Sequence, residues 1–277
     1  MMYEDTVRRA LWEDLGRAGD ITTDAIVDAG TEAVASIIAR AAGRVAGLEI
    51  AFCAFRCLDP RVRSEVLVSD GADAPAGETL AVVRGPARAI LAGERTALNF
   101  LGRLCGIATS TRGIVAAVSA YDAKVVCTRK TTPGLRLLEK YAVRAGGGAN
   151  HRFGLDDAAL VKDNHRNIAG GITEAVRRVR HHIGHMVKIE VEVDTLEQLE
   201  EALGLSVDAV LLDNMSLDTL SRGVRMAKGK VLTEASGGIT PATAGAIAAT
   251  GVDLLSVGWI THSAAALDVS LDLSLRL

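Results

Sequence analysis

The chain has 277 residues, 49% of them apolar and 23% charged, which suits one large or two modest globular domains with a real core. Its net charge is −3, from 31 basic and 34 acidic residues. That excludes the strong basic excess of a nucleic-acid-binding protein, so any cationic site must be local.

No uncharged apolar run reaches spanning length, and the first residues carry Glu4 and Asp5 instead of an apolar signal core, which predicts a cytoplasmic protein with no membrane partner. Aromatic residues make up only 3% of the chain, so the core must be built from Ala, Val, Leu and Ile. Such a core suits helices packed on buried parallel strands.

The first half gives mixed signals. A helix is predicted over Glu4–Leu15, with Trp12 in its packing face, then a turn over Gly19–Asp24 and a β-rich run from Ala33 to Val45. An apolar helix over Leu48–Leu58 carries Cys53 and Cys57 on one face. With Cys105 and Cys127 they read as reduced thiols, because no second Cys/His pair follows at zinc spacing. Short strands are expected at Val66–Val68 and Thr79–Val83, separated by Gly71, Pro75 and Gly77. A long helix over Glu94–Ser119 leads into the second half.

There a regular alternation begins. Strand-like runs occur at Lys124–Thr128, Ala158–Lys162, Val187–Val193, Ala209–Leu212, Lys230–Thr233 and Leu254–Val257. The helices between them have readable ends: Thr195 and Ser216 as N-caps, Gly204 as a stop, Thr240-Pro241 as a start, Gly251 as a close. Repeated βα units with continuous apolar strands imply a parallel sheet, open or closed as a barrel, and six strands point to an incomplete one. His181, His182 and His185 lie in an arginine-rich helical stretch and read as a solvated face.

The polar residues gather where the strands end, the face on which barrel enzymes work. Arg129 and Lys130 follow the first run, Lys162-Asp163-Asn164-His165 the second, and Asp213-Asn214 the fourth. Glu190, Glu192 and Asp194 mark the third, and Glu234-Ala235-Ser236-Gly237-Gly238 the fifth. Arg129, Lys130 and Lys162, with His151 and Arg152 from a glycine-rich loop, form a candidate floor for carboxylates or phosphates. The alternative is a structural network in which they pair with Glu192, Asp163 and Asp213. Glu192 and Asp213 end neighbouring strands and are candidates for holding a divalent ion or facing a developing cation, while one of Glu190 and Glu192 is structural. Ser236-Gly237-Gly238 and the turn from Gly258 to Ser263 are candidate phosphate nests.

These motifs closely resemble the quinolinate phosphoribosyltransferases. The resemblance rests on Thr128-Arg129-Lys130-Thr131-Thr132-Pro133-Gly134-Leu135-Arg136, Glu139-Lys140-Tyr141-Ala142-Val143 and Gly146-Gly147-Gly148-Ala149-Asn150-His151-Arg152. It continues through Lys162-Asp163-Asn164-His165, Glu190-Val191-Glu192-Val193-Asp194, Leu212-Asp213-Asn214-Met215, Glu234-Ala235-Ser236-Gly237-Gly238-Ile239 and Thr261-His262-Ser263, and it runs almost the length of the chain from Gly19.

The resemblance implies an α/β fold: an N-terminal α/β sandwich domain over 1–105, rejoined by 264–277, and an open βα barrel of seven strands over 106–263. It implies phosphoribosyl transfer from phosphoribosyl pyrophosphate to quinolinate with loss of CO2, Mg2+ as cofactor, and a homodimer or higher homo-oligomer. Arg129, Lys130, His151, Arg152 and Lys162 would surround the quinolinate carboxylates, with Arg95 reaching in from the neighbouring subunit. Glu192 and Asp213 would serve the ribose and magnesium, and Ser236, Gly237, Gly258 and His262 the phosphate. Trp259 and Ile260 depart from the smaller residues common before Thr261-His262 in that family. Three other readings are a family sibling associated with molybdate transport, a barrel aldolase with Lys130 or Lys162 as Schiff-base amine, and a non-catalytic phosphoribosyl-binding or structural protein that would not need Glu192 and Asp213.

Overall fold

The structure is a computed structural model describing residues 3–275; residues 1–2 and 276–277, at the two ends of the expected N-terminal domain, lie outside the described residues. The first half runs α1 (Glu4–Leu15), α2 (Ile21–Ile26), β1 (Glu32–Ala39), β2 (Gly43–Arg44), α3 (Leu48–Leu58), β3 (Arg63–Val66), β4 (Asp73–Ala74), β5 (Thr79–Pro86) and α4 (Ala87–Ala117). The second continues β6 (Lys124–Val126), α5 (Arg136–Ala145), β7 (Ala159–Val161), α6 (Asp163–Ala169), α7 (Ile172–His182), β8 (Ile189–Val193) and α8 (Leu196–Leu203). It ends with β9 (Ala209–Asp213), α9 (Leu217–Ala227), β10 (Leu232–Ser236), α10 (Pro241–Ala248), β11 (Leu254–Ser256), α11 (Trp259–His262) and β12 (Val269–Leu275). Among the described residues no helix is long and apolar enough to cross a membrane.

The chain divides into two compact units, one of Met1–Arg112, Thr131–Gly147 and Ile260–Leu277, the other of Gly113–Lys130 and Gly148–Trp259. This differs from the expected division at 105 and 264, and it gives Thr131–Gly147 to the first unit. The cause is a polar knot on α4. Arg103 donates to Glu139 Oε1 at 2.8 Å, to the Thr132 hydroxyl at 3.3 Å and to the Ala264 carbonyl at 3.0 Å, gathering all three segments.

In the first unit a four-stranded antiparallel sheet has the order β12-β1-β5-β3. β1 alternates as a half-buried strand should, with Ala33, Ala35, Ile37 and Ala39 inward. Helix α3 buries Phe52 and Phe55, and α1 lies against it through Val7 and Leu11.

Three expectations change here. The predicted turn at Gly19–Asp24 is helix α2, begun by Asp20, whose carboxylate accepts from the Thr23 amide at 3.0 Å. Trp12 is 65% exposed and does not pack. α4 starts seven residues earlier than predicted. Gly93 lies inside this helix, where a Cβ would press on Phe55 at 2.9 Å. Gly106, further along α4, faces a segment so close that a Cβ would run into the Ala265 carbonyl oxygen.

The second unit is built on six parallel strands in the order β6-β11-β10-β9-β8-β7. The six predicted runs all fall on these strands. No ladder joins β6 to β7, so hydrogen bonds do not close the barrel. Where the resemblance implied a seventh strand there is one parallel bridge, Val126 to Ala149. Thr195 and Ser216 cap α8 and α9 by accepting from Gln198 and Thr219, and Thr240 forms a capping box with Thr243.

Candidate active site

Side chains alternate along a strand, so residues two apart on each parallel strand share the barrel interior. Glu192 and Glu234 both lie in register with Leu211, and Ser236 with Asp213. The carboxylates of β8, β9 and β10 are therefore carried into one space. A cavity of about 440 Å³ opens there, and its lining brings together eight of the predicted residues: Arg129, Lys130, His151, Arg152, Lys162, Glu192, Asp213 and Ser236.

On the cationic side, Arg129 is half-buried and its Nε is buried without a hydrogen-bond partner. Arg152 donates to the Ala158 carbonyl at 2.9 Å. Burial, and then the like charge of Arg129, push the Arg152 guanidinium below its ordinary value. Two guanidiniums held together against their repulsion are a receptor for an anion. The Thr128 hydroxyl accepts the Lys130 amide at 3.0 Å and fixes that turn. Lys162 stands at the start of α6, where its amide donates to His165 Nδ1 at 3.0 Å, and its Nζ lies 3.7 Å from Glu192 Oε2.

Burial holds the Glu192 carboxyl above the ordinary carboxylate range; Lys162 opposes this, Asp213 adds to it, and the Asp163 amide donates to the carboxylate. Asp213 Oδ2 accepts from Asn214 Nδ2 at 2.6 Å. The next turn along fits against this one: Gly237 and Gly238 have φ of +103° and +59°, and a Cβ on Gly237 would strike the Asn214 side chain. Trp259 donates its indole N–H to the Ile239 carbonyl at 2.8 Å, tying the Gly258 turn to the Ser236 loop. Here the departure noted at Trp259 has a structural use. Arg95, exposed on α4, and His262, exposed and 2.6 Å from the Ser263 hydroxyl, belong to the first unit.

Residues 20–105 match the quinolinate phosphoribosyl transferase N-terminal domain, and residues 107–272 match the C-terminal domain of the same family. The chain belongs to the quinolinate phosphoribosyltransferases. A probable nicotinate-nucleotide pyrophosphorylase (carboxylating) of Bacillus subtilis is 46% identical over 263 residues, spanning 95% of this chain and 90% of that protein. The nicotinate-nucleotide pyrophosphorylase (carboxylating) of Mycobacterium leprae is 45% identical, spanning 97% and 96%. Among solved structures, NadC from Streptococcus pyogenes superposes with a TM-score of 0.96 at 39% identity, covering 99% of this chain and 97% of that one.

Family membership makes the chain a phosphoribosyltransferase of NAD biosynthesis. It leaves open what lies one layer below the cationic floor. There Glu190 and Glu234 converge on His151, whose Nε2 is 2.9 Å from Glu190 Oε2 and 3.5 Å from Glu234 Oε2. In the sequence Glu234 carries no role of its own, and either Glu190 or Glu192 could be the structural one. The available signal was spacing, since Glu-x-Glu on one strand puts two carboxylates inside the barrel at different depths.

Glu234 is 1% exposed, and burial followed by the charge of Glu190 pushes its carboxyl up to about 7. The folded chain thus keeps a proton that the unfolded chain releases near the usual carboxylate value. The associated stability is complete in acid and is lost as pH rises through about 7. Glu234→Gln should flatten that loss, on the order of 3 kcal/mol between pH 4.5 and 8. Urea unfolding of both proteins across that range checks it, and a parallel pH dependence would refute it.

Proposed function

We propose that the polar mouth of this barrel is where the chain performs its family's reaction: quinolinate and phosphoribosyl pyrophosphate give nicotinate mononucleotide, pyrophosphate and CO2. The observation that carries this assignment is the paired Arg129 and Arg152, one with an unpartnered buried Nε, placed beside the carboxylates Glu192 and Asp213. A dicarboxylate needs the first group and an activated sugar the second.

In this reading the guanidiniums of Arg129 and Arg152 take the two quinolinate carboxylates, with Lys130 and Lys162 adding charge. Screening of their repulsion lets the pyridine nitrogen sit against the ribose anomeric carbon. As pyrophosphate departs, positive charge builds on the sugar, and Glu192 and Asp213 stabilise it. The bond from nitrogen to ribose turns the ring into a pyridinium, which accepts the electron pair left behind as the adjacent carboxylate leaves as CO2. Solvent then supplies the ring proton. Lys162, its Nζ 3.7 Å from Glu192 Oε2, serves by charge in this reading and not as a Schiff-base amine.

Glu192 and Asp213 offer the hard oxygen donors that Mg2+ prefers, on adjacent strands, and the ion when bound would neutralise the departing pyrophosphate. Ser236, Gly237, Gly258 and His262 would meet the 5′-phosphate, and exposed Arg95 would complete the site of a neighbouring subunit in a homodimer. Cys53 and Cys57, unbonded with Sγ atoms 3.7 Å apart, suit a reducing cytoplasm.

The test is product analysis with phosphoribosyl pyrophosphate, Mg2+ and either quinolinate or nicotinate. Nicotinate mononucleotide with equimolar CO2 from quinolinate alone is the expected outcome. Product from nicotinate, or none from quinolinate, would overturn the assignment.

A further inference from the structure

The sequence placed His151 among the groups that meet the substrate, yet both of its ring nitrogens are already engaged. The Arg152 amide donates to Nδ1 at 2.7 Å, so Nδ1 is an acceptor and bears no proton. The ring proton must then sit on Nε2, where Glu190 Oε2 receives it at 2.9 Å with Glu234 Oε2 3.5 Å away. We infer that His151 is a positioning residue fixed in the Nε2–H form: it hangs from the buried Glu190–Glu234 pair and braces the Arg152 backbone, and it presents no N–H to quinolinate.

The surrounding geometry supports this. Arg152 lies on a loop whose far side is held by Asp157, which accepts the Phe153 amide at 2.6 Å and the Gly154 amide at 3.0 Å. Arg152 itself reaches the Ala158 carbonyl. One end of this short loop is therefore fastened by Asp157, and the other by the imidazole resting on two carboxylates in the barrel interior. Arg129 repels Arg152, so the guanidinium needs such bracing to stay aimed at an anion. Glu190 Oε1 and Glu234 Oε1 are buried with no hydrogen-bond partner. Burial and the nearby Glu190 hold the Glu234 carboxyl above its ordinary value, so the two carboxyls resist carrying full charge side by side. The floor that receives quinolinate is then built from arginine and lysine alone, with histidine as its mount.

The inference rests on the reading that Arg152 meets quinolinate, and the experiment separates the two. Histidine is labelled with 15N, and the His151 resonances are assigned by their loss in His151→Asn. A neutral ring protonated at Nε2, unchanged in tautomer and charge when quinolinate is added to saturation, is the expected result. A doubly protonated ring, or a proton appearing at Nδ1 with quinolinate, overturns the inference.

Kinetics give a second readout. His151→Ala should raise the quinolinate KM about tenfold with little change in kcat, since misplacing a binding group weakens its grip without altering the chemistry. His151→Asn should recover most of that loss, because its side-chain oxygen can take the place of Nδ1 as acceptor for the Arg152 amide. Equal loss in both variants overturns the positioning role. If Arg152→Ala leaves the quinolinate KM unchanged, the carboxylate-site reading fails, while the tautomer result still stands or falls by itself.

Discussion

Replacing Arg152 with alanine is expected to raise the quinolinate KM by about 100-fold, with the KM for phosphoribosyl pyrophosphate nearly unchanged. The magnitude follows from what is lost. A partly buried guanidinium facing a carboxylate makes charge-assisted bonds in a low-dielectric space, and truncating one partner of such a pair costs about 2–5 kcal/mol. Arg152→Lys should recover little, because a point charge cannot reproduce two parallel N–H bonds. The same substitution should leave thermal stability unchanged or slightly higher, since it relieves the repulsion between Arg152 and Arg129. That pairing of outcomes is diagnostic. If the cations were a structural network, Arg152→Ala would lower the melting temperature and spare the KM. Calorimetric titration with quinolinate alone, beside a thermal melt, decides between them.

The parts of this site legible in the sequence are those that depend on strand direction. Parallel strands bring their C-terminal ends to one side, so Lys162, Glu192, Asp213 and Ser236 could be grouped without knowing the sheet order. The helix signals were equally local: Thr195, Ser216 and Thr240 each cap the helix that follows.

What failed depended on longer range. β10 was expected to end at Thr233, but it continues to Ser236, so Glu234 lies within the strand and points into the core. An acidic residue in that position looks like a strand end until its neighbours on β9 and β11 are in place. In the first unit, β12 pairs with β1, a return of the C-terminal segment that the family resemblance implied but that neither segment's own pattern announces. Trp12, read as packed, is exposed because only Val7 and Leu11 of its helix face α3.

Glu192→Gln is the second large effect. It should lower kcat by about 300-fold, as removing one preorganised electrostatic stabiliser of a developing charge does, while quinolinate alone binds as tightly as before or tighter. The sign of the binding change is the informative part. Glu192 lies 3.7 Å from Lys162 and partly cancels its charge. Glutamine keeps the shape, leaves Lys162 more positive toward the cavity, and so favours a dianion in the ground state. In the transition state the same loss works the other way, because the ribose has become cationic and its facing carboxylate is gone. Asp213→Asn should behave alike, and the double variant should fall short of the product of the two, since the carboxylates act on one charge. If instead Glu192→Gln weakens quinolinate binding and spares kcat, its role is to hold Lys162 in place, and the stabilisation of the sugar cation must be assigned to Asp213.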